Sequence, residues 1–272
     1  MARRARLRQE ETHARGVKPL TGLYDHPGLY SALREPDPGT FRLIGDLLDA
    51  YLEGERRRVL DPACGPGDWL RLFGREGWDL GGNDSSLPMV SAARANLNSY
   101  RAELTHGDMR CLRFALSPFD LAAEVSGVVS ELPGDGALVD HLASVAGQLR
   151  ARGLYIVLLP RRAGELRIPS RGYHAGPLQL PSGCEARIGY RIVRYDERRE
   201  TIQVERTVRL TLPDRNVRVS TERYTLQTGW PRRMPDLLRR VPALDLVASI
   251  DLPDDPDEPS GVGDCIVVLR RK

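Results

Sequence analysis

The stretch Val59-Leu60-Asp61-Pro62-Ala63-Cys64-Gly65-Pro66-Gly67-Asp68-Trp69 holds the residues best placed to do chemistry. Val59 and Leu60 read as the end of a short buried strand, Gly65 to Gly67 as a tight turn, and Trp69 to Phe73 as the opening of a helix. Strand, glycine turn and helix bring backbone close to a ligand. Glycine permits unusual dihedrals there, and no Cβ blocks the approach. The four cysteines, Cys64, Cys111, Cys184 and Cys265, lie far apart with no CxxC pair. Their spacing indicates neither a metal site nor a disulfide framework, and a reducing cytoplasm is the expected compartment.

The chain of 272 residues is long enough for one large α/β domain or for a domain with a sizeable insertion. Charged residues make up 28% and hydrophobic residues 41%, the balance of a globular protein. A net charge of +3 is too small to imply nucleic-acid binding. Lysine occurs only at Lys18 and Lys272; the arginine excess fits coding bias better than phosphate recognition. No apolar run approaches the length of a membrane span, and the Arg-rich start lacks the apolar core of a secretion signal.

Apolar spacing predicts a helix over residues 40–53, capped by Thr40, that leads into the first strand. After the glycine turn, a helix over 68–75 precedes a second strand, Trp78 to Asp84, whose two glycines weaken it. A helix to about Leu97, a third strand from Glu103 and a fourth over Phe119–Val125 follow. Residues 136–150 have helical spacing ended by Arg152-Gly153, and Leu154–Leu159 form a continuous apolar run. Such alternation implies a parallel sheet covered on both faces. Past Pro160 the period switches to two over 186–195, 200–212 and 217–227, an antiparallel meander whose arginines are expected on a solvated face. A helix over 234–241 and two strands, Leu244–Leu252 and Cys265–Leu269, end the chain around an acidic Pro-rich loop, Asp254 to Gly261. The expected organisation is a mobile basic tail (1–18), a core (19–165), an antiparallel insertion over the active site (166–229), and a segment completing the core sheet (230–272).

Asp61-x-Ala63-x-Gly65-x-Gly67 resembles motif I of class I S-adenosylmethionine (SAM) methyltransferases, with alanine in place of one glycine. The resemblance implies a Rossmann-like, seven-stranded, mostly parallel sheet and SAM as cofactor. Asp61 would organise the amino-acid end of SAM beside Ala63, Gly65 and Gly67. Asp84, 23 residues on and followed by Ser85, matches the acid that holds both ribose hydroxyls; a helix cap is the competing role. Asp108 and Met109 resemble the pair that reads adenine, with Met89 against the other face or in the core. Glu124 ends the fourth strand at the cleft edge. The meander, with Leu23-Tyr24-Asp25, is similar to small-molecule N-methyltransferases of the glycine/sarcosine and amino-sugar type; where the latter carry a histidine, this chain has Glu131.

Methyl transfer from a sulfonium needs alignment and exclusion of water rather than a nucleophile. Glu124, Glu131, His26 and His141 are candidates to take the acceptor's proton, with His141 expected at the surface. Glu131 and Tyr24 are assigned to the acceptor side. A dehydrogenase G-x-G-x-x-G is matched poorly, with Leu70 where its third glycine would stand, and an exocyclic nucleobase methyltransferase is disfavoured by Ala122-Ala123-Glu124-Val125 in place of its Pro-Pro segment. The expectation is methylation of nitrogen or oxygen on a small polar molecule, without nucleic acid, membrane or metal, and compatible with a homodimer. A catalytically inactive binding or partner protein is the alternative.

Overall fold

The computed structural model describes residues 18–19, 22–54, 57–160, 173–180, 182–252 and 264–272. The chain runs through β1 (Lys18–Pro19), a 3-10 turn (Leu23–Asp25), α1 (Pro27–Leu33) and α2 (Pro38–Tyr51). Strand and helix then alternate: β2 (Arg58–Asp61), α3 (Asp68–Arg75), β3 (Asp79–Asp84), α4 (Leu87–Asn96), β4 (Ala102–His106) and β5 (Phe119–Glu124). A second 3-10 turn (Val128–Glu131), α5 (Asp135–Gln148) and β6 (Leu149–Pro160) follow. Next come β7 (Tyr173–Gln179), β8 (Glu185–Asp196), β9 (Thr201–Thr211) and β10 (Val217–Gln227), then α6 (Trp230–Leu238), β11 (Leu244–Asp251) and β12 (Asp264–Arg271).

Seven strands form one sheet in the order β11-β12-β6-β5-β2-β3-β4. It is parallel from β6 to β4, and β12 pairs antiparallel with both β6 and β11. Alternate residues feed two cores. Leu60, Ala122, Tyr155 and Val267 pack with α5 and α6, while Val59, Leu121, Ile156 and Ile266 pack with α2 and α3. Burial of each such large apolar side chain contributes about 1.5–3 kcal/mol. This is the doubly covered, mostly parallel sheet expected from the alternation. Among the described residues, no helix is long and apolar enough to cross a membrane.

The glycines of β3 do not break it; packing requires them. A Cβ on Gly81 would collide with the Phe119 ring, and one on Gly82 would lie 2.7 Å from Leu104 Cδ2 and 2.8 Å from Leu70 Cδ1. Three helix ends depart from expectation. Asp37, not Thr40, caps α2, accepting the Thr40 amide, and Pro38 opens the helix. Helix α5 stops at Gln148, because Leu149 already pairs with Phe119 and Arg150 Nε reaches Asp120 Oδ1 at 2.5 Å. Helix α6 starts at Trp230, which is fully buried and donates from Nε1 to Asp135 Oδ1 at 2.9 Å.

The meander is a second sheet, β1-β10-β9-β8-β7. Lys18–Pro19 run parallel to Arg218–Val219, so the end of the supposed tail is sheet; residues 1–17 and Asp254 to Gly261 lie outside the described residues. Ala186, Ile188 and Val208 pack against Leu23 and Leu29 of the N-terminal segment. Gly82→Ala should lower stability by about 1–3 kcal/mol through overpacking, read as a lower urea midpoint at unchanged slope.

Candidate active site

The carboxyl ends of β2, β3 and β4 are tied into one edge. Gly65 (φ +52°) and Gly67 (φ +84°) take left-handed conformations between β2 and α3, where a side chain would be strained. A Cβ on Gly67 would also lie 2.8 Å from Leu97 Cδ1. Asp61 Oδ1 accepts the Ala63 amide at 3.0 Å. Asp84 Oδ2 accepts the Gly65 amide at 2.8 Å, and its Oδ1 accepts the Ser86 amide at 2.8 Å. Ser86 rather than Asp84 caps α4, accepting from Met89 N at 3.4 Å and donating to the Tyr24 carbonyl at 2.8 Å. Asn83, which sequence reasoning passed over, donates to Pro62 O at 3.1 Å and Gly107 O at 2.9 Å and so joins the loops after β2 and β4.

The remaining expected cofactor residues lie around this edge. Ser85 is exposed, and its carbonyl meets His106 Nε2 at 3.0 Å. Asp108 is exposed and bidentate to Arg110, which holds its carboxyl below the usual range. Met109 is half-buried against the core. Met89, expected either against a ligand face or in the core, is wholly buried, because α4 turns it inward with Val90 and Ala93. Glu124 is 1% exposed; its Oε1 accepts the Ser126 amide at 2.9 Å, while its buried Oε2 has no partner among the described residues.

Asp61, Asp84 and Glu124 all have raised pKa values, foremost because burial disfavours their charge. Glu124 and Asp84 add repulsion at Asp61. Three crowded carboxyls with an open acceptor favour a cationic ligand. Tyr30 packs over the turn, with its Cε1 3.3 Å from where a Gly65 Cβ would stand.

Beside this edge, Tyr24 Oη donates to Glu131 Oε1 at 3.2 Å. Burial raises both groups' pKa values, so the phenol stays protonated and donates. A cavity of about 670 Å³ runs from Glu131 and Tyr224 out to Asp135, Arg198 and Arg233. Arg206 corrects the expectation of a wholly solvated arginine face: it is 4% exposed and lies on the inward face of β9 with Ile202, Val204 and Val208. The alternation already aligned it with those apolar residues.

His141 is also corrected. It is fully buried in α5, between the core and the loop after β4. Nδ1 must donate to the Met109 carbonyl at 3.1 Å, so Nε2 accepts from the Tyr155 hydroxyl at 2.7 Å. Burial lowers its pKa to about 4, and both ring nitrogens are spoken for, which removes it from the proton-transfer candidates. His26 sits at the start of α1.

Residues 59–153 match a family model described as a methyltransferase domain. Among solved structures, the sugar N-methyltransferase from Streptoalloteichus aligns with a TM-score of 0.71 at 17% identity, covering 94% of this chain and 95% of that one. A SAM-dependent methyltransferase from Clostridium acetobutylicum aligns at 0.69 and 13% identity, covering 89% and 96%. The SAM-bound amino pentose methyltransferase from Micromonospora echinaspora, involved in calicheamicin biosynthesis, aligns at 0.66 and 17% identity, covering 93% and 98%. At these identities the likeness is one of fold. No curated protein sequence matches the chain.

The His141 arrangement makes a pH prediction. Unfolded, the imidazole titrates near 6.5; folded, near 4. The unfolded chain therefore binds the proton first, and stability is lost as pH falls from about 6.5 to about 4. The unfolding free energy of wild type minus that of His141→Gln should shrink by on the order of 3 kcal/mol across that window, read by urea titrations at several pH values.

Proposed function

We propose that this chain is a SAM-dependent methyltransferase that moves a methyl group to nitrogen or oxygen of a small polar acceptor, with Glu131 and Tyr24 at the acceptor. The Tyr24–Glu131 hydrogen bond carries the reading. It joins the N-terminal segment to the turn after β5, beside a cavity walled by the meander.

The residues present fit the cofactor. The orphaned Glu124 Oε2 and the crowded Asp61 suit its positive charge, and the two positive-φ glycines leave the main chain accessible. When bound, SAM supplies an electrophilic methyl group on a sulfonium. Asp61, Ala63, Gly65 and Gly67 would hold its amino-acid end, Asp84 and Ser85 its ribose, Asp108 and Met109 its adenine. Glu124 would balance its charge, and Met89 would support α4 from below. Tyr30 covers the turn and keeps water from it. Glu131, ionised, pairs with an acceptor ammonium or takes its proton; Tyr24 holds that carboxylate in place. The meander roofs the cleft and so selects small acceptors over a folded protein or a duplex. Sugar N-methyltransferases share the fold, which makes amino sugars the first acceptors to try.

Asp84→Ala should weaken SAM binding by on the order of 1–3 kcal/mol in titration calorimetry, and Asp84→Asn, which keeps an acceptor oxygen for the Gly65 amide, by less. Equal affinity for all three proteins would confine Asp84 to holding the turn. A turnover screen over amino sugars, small amines, hydroxylated metabolites and RNA tests the acceptor class. Turnover on an amine should fall about 10²- to 10⁴-fold in Glu131→Gln if Glu131 moves the proton. Turnover on RNA alone overturns the small-molecule reading, and tight SAM binding with no turnover throughout would favour a binding protein.

A further inference from the structure

We propose that Arg206 is a positioning residue that fixes the Tyr24 phenol on the Glu131 carboxylate and so ties the meander roof to the acceptor side. The inference rests on the reading that Glu131 serves the acceptor.

Three contacts define the arrangement. The Arg206 guanidinium carbon lies 5.2 Å from the Tyr24 ring centroid and 5.3 Å from that of Tyr224. Its Nη2 donates to Glu222 Oε2 at 2.5 Å, from a residue directly opposite on β10. Glu222 in turn packs against the Gly22 backbone so closely that a Cβ there would collide with its carboxylate. The charge pair thus grips the N-terminal segment at Gly22 and at Tyr24. The Tyr24 main chain is held from the other side by Ser86 Oγ. With its backbone tied to α4 and its ring held against the guanidinium, the phenol donates its hydroxyl to Glu131.

Stability alone does not account for the residue. The neighbouring inward positions of β9 are Ile202, Val204 and Val208, and another apolar side chain would fill the face without desolvating a charge. The Arg206 Nε is buried with no partner among the described residues, a further cost. What the guanidinium adds is a planar cation fitted to two aromatic faces, which a lysine does not reproduce.

Glu131 is faced by Tyr24 from the N-terminal turn, Arg34 from the end of α1, Arg206 from β9, and Glu222 and Tyr224 from β10. Burial raises its carboxyl, and the Tyr24 hydrogen bond, Arg206 and Arg34 act the other way while Glu222 adds to the rise. Removing Arg206 subtracts a cation and also releases the phenol.

The test is a pH titration of the full chain labelled with 13C at glutamate carboxyls, with the Glu131 signal assigned by its loss in Glu131→Gln. Arg206→Met should move the Glu131 titration to higher pH, and Arg206→Lys should restore it only in part. In a Tyr24→Phe background the same Arg206→Met change should produce a smaller shift, because part of the effect passes through the phenol. An unchanged Glu131 titration in Arg206→Met, or an equal shift with and without the Tyr24 hydroxyl, overturns the proposal. If Arg206→Met does not fold, Glu222→Gln takes its place: freed from its partner, the guanidinium should loosen its hold on Tyr24 and widen the Tyr24 ring signals, and unaltered signals overturn the proposal equally. These readouts need no acceptor. Full turnover by Glu131→Gln would strike the acceptor reading alone and leave the Arg206 result standing.

Discussion

The hydrogen bond from the Gly65 amide to Asp84 Oδ2 is the tie on which the site depends. It joins the turn after β2 to the end of β3, the neighbouring parallel strand whose Gly82 is in register with Asp61. That neighbour must come close without side chains in the way. Gly81 and Gly82 provide the room, and Phe119 and Leu104 occupy it. Asn83 extends the tie to the loop after β4. With the three loops held at one edge, Asp84 and Glu124 both add to the proton affinity of Asp61. Parallel strands place all their carboxyl ends on one side, so the convergence is a property of the sheet that no single loop could produce.

The proposed acceptor side is built on a different principle. No main-chain ladder joins Tyr24, Glu131 and Arg206; they come from a short 3-10 turn, a second such turn and a long antiparallel strand. Side chains connect them, through the Tyr24–Glu131 hydrogen bond and the contact of the Arg206 guanidinium with the Tyr24 ring, while an ion pair with Glu222 and a second ring contact with Tyr224 hold Arg206 itself. Such networks gain strength from burial, and they lose more when one member is removed. The apolar contacts of Leu23 and Leu29 with Ala186, Ile188 and Val208 hold the N-terminal segment to the meander and offset the cost of the polar network.

Much of this was legible in the chain. The helical and two-residue periods determined the order of elements and the switch from a parallel sheet to a meander, because each period reports which face of an element leaves water. The glycine turn marked the β2–α3 loop, since glycine takes the left-handed dihedrals found at Gly65 and Gly67 without the strain a side chain adds. The acids Asp61, Asp84 and Glu124 could be named from their places at strand ends.

Tertiary structure decided what depends on partners far off in sequence. Helix α5 ends early because Asp120 draws Arg150 into the sheet, and α6 starts early because Trp230 finds Asp135. His141 carries no local sign that its ring will lie between Met109 and Tyr155. Arg206 shows the boundary most plainly. Alternation put it on the apolar face of β9, while charge argued for solvent. The sequence by itself holds both preferences; only the arrival of Glu222, Tyr24 and Tyr224 around one guanidinium let burial prevail, because a desolvated cation is tolerated only where opposite charge and aromatic faces replace its water.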